Sequence, residues 1–273
     1  MPVRDDRPDI TRFGHVDAAG DTRSLIAWLD TTRSLPEYPA AKRAVLDQLR
    51  LGEARSALDV GCGPGADVIA MAQRLPRGGR AVGIDISDVM LAEARRRASG
   101  HDLAVSFDTG DAADLPYSDA SLDACRVETV LQHVPDPGRV IGEMTRVTRP
   151  GGRIAALEFD LGTMMADHDD RDTTRAIMAT FADATAHGWI GRQLPRLFRQ
   201  AGLTEVSVRP FVVLGGLAVL RALLGSHVDR LCADNVLTAT QAGQWWGALE
   251  QRAADGDVLG GSVIFVAAAT RPG

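Results

Sequence analysis

The chain has 273 residues, of which 45% are hydrophobic, and this suits one large α/β domain or two small ones. Its net charge of −6 argues against nucleic acid as a partner, because the one basic cluster, residues 95–97, belongs to a helical pattern. The longest apolar run, residues 211–224, contains two glycines and an arginine and is shorter than the roughly 20 residues that cross a bilayer. We therefore expect a cytoplasmic protein with no membrane partner.

Residues 1–12 alternate charge and proline without the apolar core of a signal peptide, and we interpret them as a frayed tail. Cys62, Cys125 and Cys232 lie far apart in the sequence, with no CxxC spacing. That spacing argues against a disulfide framework and against a structural zinc site.

Apolar periodicity predicts the helices and strands in chain order. Two helical patterns, at residues 22–30 and 36–50, make up an N-terminal helical cap over residues 1–52. Strands at 57–60, 81–84, 103–107, 122–127 and 153–159 then alternate with helices at 66–75, 87–98 and 137–148. Closing strands follow at 205–214 and 262–270. The alternation predicts an α/β fold with a parallel sheet, and we favour one domain over residues 1–273.

A glycine-rich loop follows the first predicted strand. Asp59 is followed by Gly61, Gly63 and Gly65, where a buried strand turns into a helix. Glycines let a ligand approach the main chain closely, because no Cβ stands in the way. The loop by itself also fits a loose dinucleotide fingerprint, with Asp85 about where a ribose-binding acid belongs.

Acidic residues come just after four of the predicted strands: Asp85, Asp111, Glu128 and Asp160. In an open parallel sheet, ligands bind beyond the carboxyl ends of the strands, near the point where the strand order reverses. We therefore expect these four side chains to converge on one cleft.

Five segments in this order resemble class I S-adenosylmethionine-dependent methyltransferases, in the branch that includes the ubiquinone and menaquinone biosynthesis enzymes. They are LDVGCGPG at 58–65, GIDIS at 83–87, GDAADLPY at 110–117, VLQHVPDP at 130–137 and LEF at 157–159. The resemblance covers about residues 40–160 and implies a Rossmann-like, doubly wound, mostly parallel seven-stranded sheet. A nicotinamide site does not explain Asp59 or the segments at 110–117 and 130–137, so we set it aside.

The resemblance assigns four residues to the adenosine end of S-adenosylmethionine. Asp85 would accept hydrogen bonds from the two ribose hydroxyls, with Ile86 beside it in the cofactor site. Asp111 would accept from the adenine amino group, and the Ala112 amide would meet a ring nitrogen. The alternatives are a helix N-terminal charge for Asp85 and a turn-forming role for Asp111.

At the methionine end, the resemblance places Glu128 and the loop of Gly61, Gly63 and Gly65. Glu128 would bind the ammonium group or the substrate. Asp59 would orient the loop or receive the ammonium through water. Tyr38 and Lys42, on the helix that commonly covers the cofactor in this family, would lie either over the cofactor or on the surface.

His133 is the candidate general base, because its loop faces the mouth of the site and imidazole titrates near neutral pH. The alternative is a histidine that caps the next helix or packs beneath the methionine moiety. His168 and His187 are weaker candidates. The acidic run at 167–170 indicates a helix start rather than an ion site, and we predict no metal.

Two helical lid insertions, about residues 161–190 and 215–256, flank the closing part of the sheet and follow a core at 53–160. Both are rich in Met, Leu, Phe and Trp, which predicts an apolar lid that excludes water from the reaction.

We thus expect methyl transfer to a small, apolar organic acceptor, in secondary metabolism or quinone-like biosynthesis. The alternative is a protein that binds S-adenosylmethionine without transferring its methyl, as a cyclase or a regulatory module. The sequence leaves the oligomeric state open, a homodimer included.

Overall fold

The computed structural model describes residues 22–273, so the predicted tail at 1–12 lies outside the described residues. The helices are α1 Thr22–Arg33, α2 Tyr38–Gln48, α3 Ala66–Ala72, α4 Asp88–Ala98, α5 Pro137–Val147, α6 Arg171–Asp183, α7 Ile190–Gln200, α8 Leu217–Ala233 and α9 Ala239–Asp255. The strands are β1 Ser56–Val60, β2 Arg80–Asp85, β3 Val105–Thr109, β4 Leu122–Glu128, β5 Thr148–Ala166, β6 Thr204–Gly215 and β7 Gly260–Thr270.

The seven strands found among residues 22–273 form one sheet in the order β3-β2-β1-β4-β5-β7-β6. All neighbours are parallel except β7, which runs antiparallel between β5 and β6. The chain moves from β1 outward to β3 and then returns to place β4 on the other side of β1. The strand order therefore reverses between β1 and β4, and the predicted α/β fold is confirmed.

Helices cover both faces of the sheet, so its central strands are buried on both sides. On one face α2, α3 and α4 pack their apolar side chains, among them Val45, Val68 and Leu91. On the other face α5 and α7 contribute Ile141 and Phe198. Every residue of β1 is buried, including Asp59.

A third apolar cluster joins α6, α8 and α9 outside the sheet. Phe181, Leu224, Trp245 and Trp246 lie at its centre, all buried. These helices lie within the two segments predicted as insertions. They pack on one another, and α6 and α8 also contact strands of the sheet. Most of their aromatic side chains stabilise the lid instead of facing a ligand, as is usual for such residues at helical spacing.

The fifth strand differs from its prediction at residues 153–159. It begins at Thr148 and continues to Ala166, because β7 remains paired beyond a register shift that follows Asp160. Met165 and Ala166 pair with Gly261 and Gly260 in this extension. The first insertion therefore begins as a strand, and its helix α6 starts only at Arg171.

Candidate cofactor and acceptor site

A cavity of about 480 Å³ opens at the carboxyl ends of β1, β2 and β4, where the strand order reverses. Its walls come from three parts of the chain: α1 and the start of α2, the sheet edge, and the lid. Asp85, Asp111 and Glu128 all line it, as the sequence predicts.

Asp160, the fourth residue expected in this cleft, is not among the residues that line the cavity. It is fully buried, and Arg192 holds it with Nε–Oδ2 and Nη2–Oδ1 distances of 2.5 and 2.7 Å. Arg192 also stacks on Trp189, 4.2 Å from the ring centroid. The expectation for Asp160 is wrong, because the extension of β5 and the start of α7 enclose its carboxylate.

The glycine loop after β1 presents open backbone to the cavity. Gly63 adopts φ +50°, and a Cβ there would meet only Leu29, at 3.9 Å. A ligand can therefore approach this backbone closely. The cofactor position that the family resemblance implies requires such an approach. Asp59 and Gly61 line the cavity as well.

Gly65 is the exception among the three predicted glycines, since it does not line the cavity. It caps α3 with φ +77°, and a Cβ would lie 2.7 Å from Ala94 Cβ and 2.8 Å from Phe107 Cε1. Helix packing and the left-handed backbone are sufficient to require glycine at this position, and its contact with the cofactor stays a prediction.

Asp85 connects the loops that follow β1 and β2. Its Oδ2 accepts a hydrogen bond from the Gly63 amide at 2.8 Å, and its Oδ1 accepts from the Ser87 amide at 2.9 Å. Ser87 in turn caps α4, since its hydroxyl accepts from the Met90 amide at 3.2 Å. A carboxylate offers about four acceptor sites, which suits Asp85 to a ligand with paired hydroxyl donors.

Ile86, Asp111 and Ala112 form the neighbouring wall of the cavity. Asp111 Oδ1 accepts from the Ala113 amide at 2.8 Å, so the turn-forming role is real, but Oδ2 can accept from a ligand as well. Ile86 is 61% exposed, which leaves an apolar surface beside two acids. A flat, partly apolar ring with donor groups at its edge fits this wall.

Six charged residues form a buried charge cluster beneath the other end of the loop: Arg33, Lys42, Asp59, Asp67, Arg126 and Glu128. Arg126 is at its centre on β4 and is fully buried. Its Nη1 lies 3.1 Å from Asp67 Oδ1, its Nε lies 3.4 Å from Asp59 Oδ1, and its Nη2 pairs with Glu128. Three acids and three bases make the cluster formally neutral.

Helices α1 and α2 supply the other two bases. Lys42, the only lysine of the chain, lies 2.5 Å from Asp67 Oδ2 and also pairs with Glu128. Arg33 donates to both Asp67 oxygens, at 2.9 and 3.0 Å. The alternative that Tyr38 and Lys42 are surface residues is therefore wrong: both are buried, and Tyr38 donates to Glu128 Oε1 at 2.9 Å.

The cluster shifts the pKa values of two of its carboxylates in opposite directions. Burial raises the pKa of Asp59 to about 7, although Arg126 acts in the opposite direction. Burial also opposes ionisation of Asp67, but Arg126, Lys42 and Arg33 outweigh it and keep that pKa well below the ordinary range. The carboxylate best placed to gain from another positive charge is therefore Asp59, whereas Glu128 already has three partners.

His133 and Gln132 lie side by side in the loop after β4, and both line the cavity. Their Nε2 atoms are 3.1 Å apart. Burial lowers the pKa of His133 to about 4, so the ring is neutral near pH 7. The alternative that His133 caps the next helix is wrong, because Asp136 caps α5 by accepting from the Arg139 amide at 3.0 Å.

The weaker histidine candidates lie away from the cavity lining. His168 stacks on Trp245, and His187 Nε2 lies 3.3 Å from the Pro135 carbonyl oxygen. In the acidic run, Asp170 caps α6 through the Thr173 amide, and Asp167 pairs with Arg252. No group of three or more potential metal ligands occurs among residues 22–273.

The lid half of the cavity is lined mostly by apolar side chains. Phe159, Leu161 and Met164 come from β5, Val213 from β6, and Leu220 and Leu223 from α8. Of the lid residues that line this space, all but Gly215 and Thr185 carry aliphatic or sulfur-containing side chains. Trp189 is 45% exposed over Arg192 and is not part of the lining.

Sequence reasoning did not single out Asp67, Arg126 or Glu158 as site residues. Arg126 stands between the buried apolar residues Cys125 and Val127 of β4, and this was a signal, because a buried charge requires a partner. Its partner Asp59 lies directly opposite in the register of β1 and β4. Asp67 gave no comparable signal, since an acid in the first turn of a helix is common.

The model of the methyltransferase domain family matches residues 51–202. A 37.1 kDa protein of transposon TN4556 from Streptomyces fradiae is 36% identical over 84% of this chain and 66% of its own length. The demethylmenaquinone methyltransferase of Halalkalibacterium halodurans is 29% identical over 70% of this chain and 84% of its own.

Two solved structures share the fold. Haemonchus contortus phosphoethanolamine N-methyltransferase 2, in complex with S-adenosyl-L-methionine, has a TM-score of 0.55 at 19% identity, over 86% of this chain and 53% of that one. The [4+2]-cyclase SpnF has a TM-score of 0.55 at 22% identity, over 86% and 82%. With the family match over more than half of the chain, the conclusion is that the protein belongs to the methyltransferase domain family, as an enzyme whose cofactor is S-adenosylmethionine.

Proposed function

We propose that the protein transfers a methyl group from S-adenosylmethionine to a small, apolar organic acceptor. The observation that carries this proposal is the composition of the cavity. Its loop end combines open glycine backbone with Asp85 and Asp111, whereas its lid end is walled by aliphatic side chains. We assign the first end to the donor and the second to the acceptor, within a single domain that comprises the cap at 1–52, the core at 53–160 and the lids at 161–190 and 215–256.

The chain's own residues fit the donor. Asp85 would accept from the ribose hydroxyls, and Asp111 and the Ala112 amide would contact the adenine beside Ile86. Asp59 is the acid most responsive to an added ammonium group, because Arg126 is its one close cationic partner. Glu128 would then act chiefly by holding Tyr38, Lys42 and Arg126 in place. S-adenosylmethionine supplies a methyl group activated by a positively charged sulfur.

The acceptor end supports an apolar substrate class. The relative from Halalkalibacterium halodurans is named as a demethylmenaquinone methyltransferase, and the aliphatic walls here suit a ring system of that apolar kind. We therefore propose a quinone-like or secondary-metabolism acceptor. The protein would assist the transfer by excluding water and by holding donor and acceptor in line.

His133 would act as a base only weakly, because its neutral ring has a pKa of about 4. An acceptor that carries an acidic proton needs no stronger base. If His133 takes this proton, His133→Ala should lower kcat by more than tenfold while the Kd for S-adenosylhomocysteine changes less than twofold. Equal losses in both quantities would favour a packing role.

The direct test incubates the enzyme with S-adenosylmethionine and a panel of hydroxylated apolar compounds, including a naphthoquinol, and measures S-adenosylhomocysteine by chromatography. Stoichiometric formation of S-adenosylhomocysteine and methylated product is expected. Binding of S-adenosylmethionine without consumption across the panel, together with cyclisation of a polyene probe, would support the cyclase alternative instead.

A further inference from the structure

One polar atom at the lid side of the cavity lacks a partner within the described part of the chain. Gln132 is 9% exposed and lines the cavity, and its Oε1 is buried without a hydrogen bond. Its amide nitrogen lies 3.1 Å from His133 Nε2. Because the His133 imidazole is neutral, the Gln132 amide nitrogen can donate a hydrogen bond to it. The unsatisfied atom of the Gln132 side chain is therefore the carbonyl oxygen, Oε1.

The backbone around Gln132 is held in place from two sides. Glu158, fully buried on β5, accepts from the Val130 and Leu131 amides at 3.0 and 2.9 Å. From the lid side, the His187 amide donates to the Gln132 carbonyl oxygen at 3.2 Å. Gln132 therefore follows two fixed residues and is itself tied to the segment between α6 and α7. Its side chain is preorganised rather than free to seek another partner.

Gln132 also stands at the boundary between the two halves of the cavity. It lies in the loop after Glu128, the last residue of β4, and its backbone contact with His187 places it beside the lid segment that contributes Thr185 to the lining. The neighbouring lid walls are mostly apolar, as at Leu161 and Leu220, and Thr185 is the polar side chain that the lid adds to the lining. An acceptor molecule without a hydrogen-bond donor would leave the buried Gln132 oxygen unsatisfied, which is unfavourable.

We infer that Gln132 is a specificity-determining residue whose Oε1 accepts a hydrogen bond from an O–H or N–H group of the acceptor. The acceptor class is thereby narrowed from apolar molecules in general to apolar molecules with a hydroxyl or amine at the edge that faces β4. This inference rests on the proposed acceptor end of the cavity. A site built to receive such a donor rejects the analogue that lacks it, because the protein's polar atom is then left unpaired.

The experiment compares two probes of similar shape, 1-naphthol and 1-methylnaphthalene, by fluorescence titration of the full-length enzyme saturated with S-adenosylhomocysteine. The wild type should bind 1-naphthol roughly tenfold more tightly or better. Gln132→Met, which keeps the side-chain length but removes the acceptor, should bring the two Kd values together. Gln132→Glu retains acceptor oxygens and should preserve the preference.

Gln200→Met is the matched control, because Gln200 is exposed at the end of α7 and its variant should keep the wild-type preference. Equal affinity of the two probes for the wild type, binding of neither probe, or an unchanged preference in Gln132→Met would each overturn the inference. Calorimetric titration with S-adenosylhomocysteine, run on the same four proteins, separates the two failures. Loss of donor binding in the wild type speaks against the proposed function, whereas intact donor binding without a 1-naphthol preference speaks against the role of Gln132 alone.

Discussion

Asp85 has two tasks that a single substitution would remove together. Its carboxylate accepts from the Gly63 and Ser87 amides, which fixes the glycine loop against the start of α4. The same carboxylate lines the cavity where we place the ribose. A ligand contact at this position would therefore depend both on the carboxylate and on the loop geometry that it maintains.

We expect Asp85→Ala to raise the Kd for S-adenosylhomocysteine at least tenfold, since hydrogen bonds to a charged group contribute about 1.5–3 kcal/mol. Isothermal titration calorimetry measures this directly. Asp102→Ala, at an exposed position before β3, is the control and should leave the Kd unchanged. An unchanged Kd in Asp85→Ala would show that the ribose lies elsewhere.

Glu158 provides a pH-dependent contribution to stability. Burial raises its pKa from the ordinary 4.5 to about 8 in the folded protein, and its Oε2 has no hydrogen-bond partner among residues 22–273. The folded state thus keeps a proton between pH 4.5 and 8 that the unfolded state releases. The free energy of unfolding must therefore fall as pH rises through this window.

Glu158→Gln should remove this loss, because the amide oxygen can still accept from Val130 and Leu131 without any ionisation. Chemical denaturation should show the variant more stable than the wild type by about 4 kcal/mol at pH 8 and by less than about 1 kcal/mol at pH 5. Glu143→Gln, whose carboxylate pairs with Arg146 near the surface, serves as a comparison without that gain. A stability difference that is constant with pH would contradict the protonated state of Glu158.

At the scale of whole elements, the lid helices depend on a core of their own. Trp245 of α9 is 1% exposed, lies edge-on to Trp246 with centroids 4.7 Å apart, and donates from Nε1 to Thr174 Oγ1 of α6 at 2.9 Å. The two central sheet clusters do not contain it. The lid can therefore be weakened without direct damage to the donor site.

Trp245→Ala should destabilise the lid by about 3–5 kcal/mol, as for other buried large-to-small changes. Methyl transfer should fall sharply, because the acceptor walls from α8 lose their support, whereas the Kd for S-adenosylhomocysteine should change little. Limited proteolysis would detect the loosened α6–α9 region. Trp189→Ala, at an exposed tryptophan, should leave activity and proteolysis unchanged, and a parallel loss of donor binding in Trp245→Ala would show that the lid and donor site are coupled.

The sequence predicted the elements best where periodicity is local. The strands before the glycine loop and before Asp85 agree with β1 and β2, and α4 begins at Asp88 after its Ser87 cap, within one residue of the predicted start. The length of β5 was not predictable, because residues 160–166 remain in the strand only through their pairing with β7, about 100 positions later. The same limit applies to Asp160, which looked like a residue at a strand end.

The site residues likewise fall into those that a local sequence pattern predicts and those that depend on contacts between distant elements. The rule that ligand-binding residues follow parallel strands located Asp85, Asp111 and Glu128. The same rule could not locate Arg126, Asp67 and Lys42. Their role depends on contacts between β4, α3 and α2, and the spacing of residues in the sequence does not predict these contacts. Gln132 was visible only inside a motif, and its unpaired oxygen is a property of the folded loop.

Taken as a whole, the molecule places its cavity between three parts, and the donor end joins two of them. Trp28, Leu29 and Arg33 of α1 line it together with Tyr38 of α2, while the sheet supplies Asp85. Arg33 and Lys42 also connect this cap to Asp67 through ion pairs, the first partly buried and the second buried. A ligand at the donor end would therefore stabilise the attachment of α1 and α2 to the sheet.

No helix among residues 22–273 combines the length and apolar character needed to cross a membrane.

S-adenosylhomocysteine at about 100 times its Kd should stabilise the folded protein by about 2.7 kcal/mol and raise the Tm by roughly 5–10 °C. Hydrogen exchange should show the added protection in α1, α2 and the glycine loop, because these segments line the donor end, with little change in α9, which does not. NAD at the same concentration should shift neither the Tm nor the exchange. Binding between the cap and the sheet must stabilise the cap against local unfolding, because the ligand binds only when the cap is in place. Protection confined to the lid, or a Tm shift with NAD alone, would therefore mean that the donor does not bind there.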